Sequence, residues 1–286
     1  MYEEESKMQI GTNAISIIGQ MRENFEGTVD ALHEAGCAFL EPCGDWGASR
    51  ELLDICEKQA GKSYWDPENM EKRLEYMHTV GMTIPGMFVF DQILEEQADQ
   101  MGKYFQKNGI RYAVVNVPGF KDLDAVYDHI ALLKQTAEKL RPYHVQLVKH
   151  NHEYELQKVC DRDGKEKYIL DIFVEQCTPD ELMLEIDTGW LVYMGIDPVE
   201  FIRKRIDRIA CIHMKDICSD YKTKDREAIS VACGQGIVDF KAIIDAVPAE
   251  KRDQILFMLD QDSSEGDIMK DLLDSMEYLR SIVENN

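Results

Sequence analysis

Two histidines and two aspartates stand at the ends of four apolar runs of strand length: His150, Asp187, His213 and Asp260. Each of these residues has the same position relative to its run. Imidazole and carboxylate together suit Mn²⁺, Co²⁺, Fe²⁺ or Zn²⁺ better than Ca²⁺. Two carboxylates also neutralise the charge of such an ion, which lowers the free-energy cost of burying it. We therefore predict that the four residues bind one divalent cation, with manganese first and magnesium as a further candidate.

Each of these residues also has a structural explanation. A single histidine at a strand end is usually a hydrogen-bonded core or rim residue. A single aspartate after a strand usually caps the next helix, which is the alternative for Asp187, Asp260 and Asp262. The repetition over four successive strands favours one metal site over four unrelated structural roles.

The elements that position these residues follow from hydrophobic patterning. Eight apolar runs occupy 8–16, 37–41, 82–90, 111–117, 145–150, 182–187, 209–214 and 255–260. Helical spacing of apolar residues lies between them, for example at 92–107, 122–140 and 267–282. Eight strands alternating with helices favour a (β/α)₈ TIM barrel. The alternative is an open doubly wound sheet, but no Gly-x-Gly-x-x-Gly motif follows the first run.

We predict an α/β chain with a single TIM-barrel domain over residues 1–286, of which 1–7 form an N-terminal tail. The active sites of such barrels lie at the carboxyl ends of the strands. Side chains alternate along a strand, so His152 shares a face with His150, and Lys215 shares a face with His213. All four candidate metal ligands would then face one end of the barrel.

Composition excludes several classes of partner. Lys and Arg total 32 against 54 Asp and Glu, which gives a net charge of −22 and repels nucleic acid. No apolar run approaches the roughly 18 residues of a membrane-spanning helix. The eight cysteines include no Cys-x-x-Cys pair, and the N-terminus is acidic where a signal peptide is basic. We expect a cytoplasmic protein with reduced thiols and a small-molecule substrate; a homo-oligomer remains open.

Six segments carry a resemblance to a known family. They are His-Asn-His at 150–152, Glu-Ile-Asp-Thr-Gly-Trp at 185–190, Asp-Pro-Val-Glu at 197–200, His-Met-Lys-Asp at 213–216, Gly-Gln-Gly-Ile-Val-Asp-Phe at 234–240 and Asp-Gln-Asp at 260–262. In this order they resemble the sugar phosphate isomerase/epimerase family, the xylose isomerase-like TIM barrels that also include inosose dehydratase. The resemblance implies a metal at the ends of strands five to eight, with Asp187 and His213 matching the family's ligands directly.

Three positions depart from the pattern that the resemblance implies. Many sugar epimerases of the family carry Glu where this chain has His150, although the inosose dehydratase branch looks like this chain. Asp260 stands where the usual residue is Glu, and Gln235 stands in a Gly-x-Gly loop that often has Glu. The epimerase mechanism uses the two Glu positions to move a proton on opposite faces of the substrate, so that mechanism does not transfer to this chain.

The chemistry that follows is enolisation. A metal that binds the carbonyl and the neighbouring hydroxyl of a keto-sugar or inosose stabilises the enediolate formed when the α-proton leaves. The first prediction is a metal-dependent sugar or keto-sugar isomerase or epimerase. The alternative shares this step but eliminates a leaving group, as a dehydratase of the inosose dehydratase kind or a lyase on a 3-keto-glycoside. A third alternative, of another class, is a metal-free barrel that acts as a binding or partner subunit.

Further residues are assigned roles beside the metal. His152 is the candidate general base, with support of the ligands as its alternative. Lys215 is the candidate for binding an oxyanion or phosphate, with a solvated rim charge as its alternative. The substrate-binding candidates follow strand ends or lie in the Gly-x-Gly loop, and loop packing is the alternative for the two tryptophans; they are Glu41, Trp46, Asn116, Trp190 and Gln235.

Overall fold

Among the residues that the structure describes, each of the eight predicted apolar runs contains one strand, and four further short strands lie outside the runs. The computed structural model describes residues 8–60, 65–117 and 119–284; the predicted tail at 1–7 lies outside them. The strands are β1 (Ile10–Asn13), β2 (Cys37–Glu41), β3 (Gly86–Val89), β4 (Tyr112–Val115), β5 (Gln146–His150), β6 (Lys158–Cys160), β7 (Glu166–Tyr168), β8 (Met183–Asp187), β9 (Ile209–Met214), β10 (Asp216–Ile217), β11 (Ser230–Val231) and β12 (Leu256–Leu259).

The helices alternate with the strands. They are α1 (Ile18–Glu23), α2 (Phe25–Glu34), α3 (Arg50–Ala60), α4 (Pro67–Thr79), α5 (Leu94–Asn108), α6 (Leu123–Leu140), α7 (Ile169–Gln176), α8 (Thr188–Tyr193), α9 (Pro198–Arg205), α10 (Phe240–Ala246), α11 (Ala249–Arg252) and α12 (Ile268–Glu284). The Asp122 carboxylate accepts the Ala125 N–H and starts α6, and Gly109 ends α5 in the left-handed conformation at φ 73°. The helices predicted at 92–107, 122–140 and 267–282 are thereby confirmed.

The main sheet has the strand order of a closed barrel. Among the described residues, eight strands form one sheet in the order β2-β1-β12-β9-β8-β5-β4-β3. The pairs β1–β12, β12–β9, β3–β4, β4–β5 and β5–β8 are parallel. Parallel bridges from Phe39 to Thr83 and from Cys43 to Phe88 connect the chain at β2 with the chain at β3, the two ends of that order. The predicted fold class, a (β/α)₈ TIM barrel, is confirmed.

The chain has two compact units. Unit 1 comprises Met1–Leu40, Met77–Thr83 and Ile186–Asn286, and unit 2 comprises Glu41–Tyr76 and Ile84–Glu185. In unit 1, the side chains of Phe39, Cys211 and Met258 pack in one buried cluster. In unit 2, the strands β3, β4 and β5 bury nearly every residue. The single domain over 1–286 stays a prediction.

Two predictions from composition also have structural outcomes. None of the seven cysteines whose side chains the structure describes forms a disulfide. In the described part of the chain, no helix combines the length and apolarity needed to cross a bilayer.

Candidate metal centre

Three of the four predicted metal ligands lie together in unit 1. Asp187 ends β8, His213 lies in β9, and Asp260 follows β12. Each offers one nitrogen or oxygen atom, and these three atoms lie within 4.8 Å of one another. All three side chains are buried. Parallel pairing of β12 with β9 sets Met258 beside His213, so Asp260 lies two residues beyond that pair.

Asp187 contacts a different partner with each carboxylate oxygen. Oδ1 accepts the Trp190 N–H at 3.1 Å and caps α8, while Oδ2 lies 2.9 Å from the Lys215 ammonium. The helix cap that the sequence left as an alternative is therefore present, but it uses only one oxygen. Burial raises the pKa of Asp187 to about 6, although the charge of Lys215 opposes this shift.

His213 and Asp260 contact each other directly. The imidazole Nδ1 lies 3.1 Å from Asp260 Oδ2. Burial favours a protonated Asp260, but the charge of Lys215 and the hydrogen bond from His213 outweigh it and hold the pKa of this carboxyl well below its usual value. An ionised Asp260 accepts the proton on Nδ1, so Nε2 of His213 keeps its lone pair for a metal. The neighbouring backbone is fixed by Thr188, whose hydroxyl lies 3.0 Å from the His213 carbonyl oxygen.

Lys215 supplies positive charge inside this cluster. Its Nζ lies 2.9 Å from Asp187 Oδ2, 2.9 Å from Asp260 Oδ2 and 2.8 Å from Asp262 Oδ2. These three acceptors match the three N–H groups of an ammonium. The side chain is only 1% exposed, so the alternative of a solvated rim charge is wrong. The face that Lys215 shares with His213 was predicted, but its three carboxylate partners were not.

Two cationic side chains contact the ring of Trp190. Its side chain is buried, Lys215 Nζ is 5.1 Å from the ring centroid, and the Arg226 guanidinium carbon is 4.2 Å from it. The quadrupole of an indole attracts cations at such distances. The predicted use of this ring as a plate for a sugar stays a prediction, while its contact with Lys215 connects it to the carboxylate cluster.

Asp216 holds the Gly-x-Gly loop. Its carboxylate accepts N–H groups from Gly234, Gly236 and Val238 at 2.9, 2.9 and 3.0 Å. A Cβ on Gly236 would lie 2.1 Å from Asp216 Oδ1, so only glycine fits there. Gln235 lies in this loop with an exposed side chain, and its role in substrate binding stays a prediction. Sequence reasoning missed Asp216 as the anchor of the loop.

In unit 2, His150 is paired with a carboxylate. The His150 Nδ1 lies 2.8 Å from Glu185 Oε1, and both side chains are buried. An ionised Glu185 accepts the Nδ1 proton and leaves Nε2 as the metal-binding nitrogen. The rings of His150 and His152 meet edge to face with centroids 4.8 Å apart, and Phe88 contacts His150 at 5.2 Å. His152 is half-buried beside the candidate ligand.

A buried ion pair supports the segment that carries these histidines. Lys149 Nζ lies 2.7 Å from Glu155 Oε1 and donates to the His150 carbonyl oxygen at 2.8 Å. The other oxygen of Glu155 accepts the His152 N–H at 2.9 Å. Both charged side chains have zero exposure. Sequence reasoning missed this pair, although a lysine within a predicted strand, Lys149, was its signal.

The remaining substrate-binding candidates lie in unit 2. Trp46 packs against Tyr104 and Phe105 of α5 with centroid distances of 5.5 and 6.4 Å, which is the loop-packing alternative. The Asn116 Oδ1 is buried and has no hydrogen-bond partner among residues 8–60, 65–117 and 119–284. Glu41 is buried, and its Oε1 lies beside Gly86 of β3. Substrate binding by these residues stays a prediction.

Proteins of known structure share this arrangement of strands. A sugar phosphate isomerase/epimerase from Parabacteroides distasonis has a TM-score of 0.73 and 17% identity, covering 98% of this chain and 97% of its own. A xylose isomerase-like TIM-barrel protein from Mycobacterium smegmatis, in complex with magnesium, has a TM-score of 0.66 and 14% identity, covering 100% and 99%. The chain has the xylose isomerase-like TIM-barrel fold.

Other neighbours of this xylose isomerase-like barrel are dehydratases. The probable 3-DHS dehydratase from Bacillus anthracis has a TM-score of 0.68 and 18% identity, covering 96% of this chain and 99% of its own. An inosose dehydratase from Geobacillus thermodenitrificans is 31% identical over 91 residues, or 28% of this chain and 30% of its own. One from Lacticaseibacillus casei is 27% identical over 159 residues, or 51% of each. No protein-family model matches the chain.

These matches bear on the predicted resemblance. The chain spans 30% and 51% of the length of these two inosose dehydratases, and the structural neighbours named above are below 25% identity. The resemblance to xylose isomerase-like barrels is confirmed by the fold, and the sequence relatives are inosose dehydratases. By their names, these relatives and neighbours are dehydratases and an isomerase/epimerase.

The buried donors of unit 1 fit a divalent cation. Two carboxylates and one imidazole form the mixed nitrogen and oxygen set that first-row divalent ions accept. Three aspartates against one lysine also leave the cluster with an excess of negative charge, which a cation would balance. Asp187, His213 and Asp260 therefore suit a metal in their types, burial and mutual distances.

Proposed function

We propose that the protein is a metal-dependent enzyme that removes the proton next to a carbonyl group of a sugar or polyol. The observation that carries the proposal is the buried cluster of Asp187, His213 and Asp260, with donor atoms within 4.8 Å of one another. These residues would hold the cation, and His150 is retained as the fourth proposed ligand. When bound, a divalent cation supplies a Lewis acid that stabilises negative charge on the substrate oxygen. Manganese is the proposed ion.

The protein's own side chains supply the proton chemistry. We assign His152 as the general base, because it is half-buried and its backbone N–H is held by Glu155 at 2.9 Å. An imidazole exchanges protons near neutral pH. Lys215 is assigned to the substrate oxygen on which charge develops, since an ammonium group stabilises such charge when water is excluded.

Elimination is the outcome that we favour over isomerisation. The sequence relatives are inosose dehydratases. In addition, this chain has His150 and Asp260 at the two positions where the family's epimerases carry their Glu bases. In the elimination, the base takes the α-proton, a C=C bond forms with the electron pair of the broken C–H bond, and hydroxide leaves the β-carbon. A protonated side chain donates a proton to the leaving hydroxide, which departs as water. Isomerisation shares the first step and remains the second candidate.

The substitution Asp187→Asn tests the metal site. It removes a charged donor but keeps a cap acceptor for α8, so we expect loss of Mn²⁺ binding and of activity while the fold persists. Metal content is measured by elemental analysis, and proton abstraction is followed as deuterium uptake from D₂O by keto-sugars and inososes. The molecular mass of the product is then measured by mass spectrometry, because an isomer keeps the substrate's mass and a dehydration product has lost water.

The matched control is Asp197→Asn. Asp197 caps α9 through the Val199 and Glu200 N–H groups on an exposed surface, so it has the same structural role without the buried cluster. This variant should bind Mn²⁺ and turn over as the wild type does. Full metal content and activity in Asp187→Asn would refute the metal site.

A further inference from the structure

Lys215 contacts the two carboxylates that we propose as metal ligands. In the structure, one oxygen of Asp187 and one of Asp260 each lie 2.9 Å from Lys215 Nζ. The other oxygen of Asp187 accepts the Trp190 N–H, and Asp260 Oδ2 also contacts His213. A cation coordinated by the lysine-facing oxygens at about 2.0–2.2 Å would therefore lie close to the ammonium group. Two positive centres at that separation repel each other strongly in a buried site.

The third carboxylate offers Lys215 another position. Asp262 Oδ2 lies 2.8 Å from Nζ, and its side chain is 48% exposed, whereas Asp187 has zero exposure. The indole of Trp190 also lies beside the ammonium, with its centroid 5.1 Å away. A lysine that leaves the two inner carboxylates would thus keep a carboxylate and an aromatic face as partners.

We propose that Lys215 is a built-in counter-cation of the metal site: its ammonium neutralises Asp187 and Asp260 in the metal-free protein, and cation binding displaces it toward Asp262. The inference rests on the proposed function and adds a regulation of the same site. Metal loading then does two things at once, since it fills the site and frees Lys215 to meet an anionic oxygen of the substrate. The metal-free protein keeps the lysine sequestered.

The proposal is tested by Mn²⁺ affinity, measured by isothermal titration and by electron paramagnetic resonance of free Mn²⁺ without any substrate. Lys215→Met removes the competing charge and keeps an unbranched side chain, so we expect binding at least about tenfold tighter than wild type. Lys215→Arg keeps the charge and should not gain affinity. Lys224→Met is the matched control, because Lys224 lies between β10 and β11 and pairs with Glu265; it should change affinity by less than about threefold.

A structural measurement keeps the proposal testable if Lys215→Met does not fold. Crystals of the wild-type protein with and without Mn²⁺ should show Nζ leaving Asp187 and Asp260 while it stays in contact with Asp262. An ion bound to Asp187 and His213 with Nζ still within hydrogen-bond distance of both inner carboxylates would overturn the proposal. Unchanged or weaker Mn²⁺ binding by folded Lys215→Met would also overturn it.

The outcomes separate this proposal from the metal site itself. If wild type binds Mn²⁺ and Asp187→Asn does not, the metal site stands whatever Lys215→Met shows. If neither wild type nor Lys215→Met binds Mn²⁺, Co²⁺ or Zn²⁺, the proposed function fails, and the counter-cation proposal fails with it.

Discussion

Two fully buried lysines contact very different numbers of carboxylates. Lys149 in unit 2 has one carboxylate partner, Glu155, and donates also to a backbone carbonyl oxygen. Lys215 in unit 1 has three, from Asp187, Asp260 and Asp262. The first group is balanced in charge. In the second, the two buried aspartates carry one more negative charge than Lys215 balances when both are ionised, and the third carboxylate, Asp262, is half-exposed.

The difference distinguishes an ion pair that supports the backbone from a cluster that we propose to bind a metal. A balanced buried pair needs no further ion, and its oxygens and protons are used to fix the backbone around His150 and His152. A buried cluster with excess negative charge is unfavourable unless another cation enters or a carboxyl takes up a proton. Burial raises the pKa of Asp187 to about 6, and the charges of Asp260 and Asp262 add to this rise while the charge of Lys215 opposes it.

The largest expected effect concerns the balanced pair. Lys149→Met should destabilise the protein by about 3–5 kcal/mol, because it leaves the Glu155 carboxylate buried without its counter-charge. The double variant Lys149→Met/Glu155→Leu removes both charges and should recover much of that loss. Chemical denaturation of the three proteins measures the free energy of unfolding. If the double variant were no more stable than the single one, charge balance would not be what Lys149 provides.

The next effect concerns the histidine that the pair supports. His152→Ala should retain bound Mn²⁺ but lower turnover by about 10²–10⁴ if the imidazole is the general base. Turnover on the substrate found by deuterium exchange and metal content per chain are measured on the same preparation. His33→Ala is the control, since that histidine is on the surface helix α2 and should leave both quantities unchanged. Normal turnover in His152→Ala would show that His152 is not the base, and only its alternative role in supporting the metal ligands would remain.

The apolar runs predicted the eight strands of the main sheet, and their ends predicted that three of the four candidate ligands lie together. The runs at 37–41 and 209–214 match β2 and β9 residue for residue. The strand in the run at 82–90 is shorter than the run and covers Gly86–Val89, because Pro85 has no N–H with which to extend the hydrogen-bond ladder. The first run, at 8–16, ends as β1 at Asn13, where the asparagine side chain accepts the Ile15 N–H and turns the chain.

The two lysine clusters were beyond sequence reasoning for a physical reason. A lysine is almost always exposed unless it is paired, so its burial depends on partners that the fold supplies. Asp262 reaches Lys215 from 47 residues along the chain, because β12 pairs with β9. Glu155 pairs with Lys149 across a turn, and no helix or strand periodicity in the sequence relates the two positions. The spacing identified candidate ligands, but the charge balance around them required the structure.

The smallest effect concerns a histidine near the balanced pair. His129 in α6 is buried against Phe120 and Phe173, and Asp91 Oδ2 lies 3.5 Å from its Nδ1. Burial, followed by the charge of Lys149, lowers the pKa of His129 to about 3. The folded state therefore favours the neutral imidazole, and the contact with Asp91 is not an ion pair at neutral pH.

Because its folded pKa lies below the unfolded value of about 6.5, His129 contributes stability that is present above pH 6.5 and is lost as the pH falls toward 3. Between pH 7 and pH 5 this loss should reach about 2 kcal/mol in wild type and be absent in His129→Gln. Urea denaturation of both proteins at the two pH values measures the free energy of unfolding. Subtracting the loss in His129→Gln from the loss in wild type removes the contribution of the other titrating groups. If Asp91 instead stabilised an imidazolium, wild type would gain stability relative to His129→Gln on acidification, and burial would not be what sets the pKa of His129.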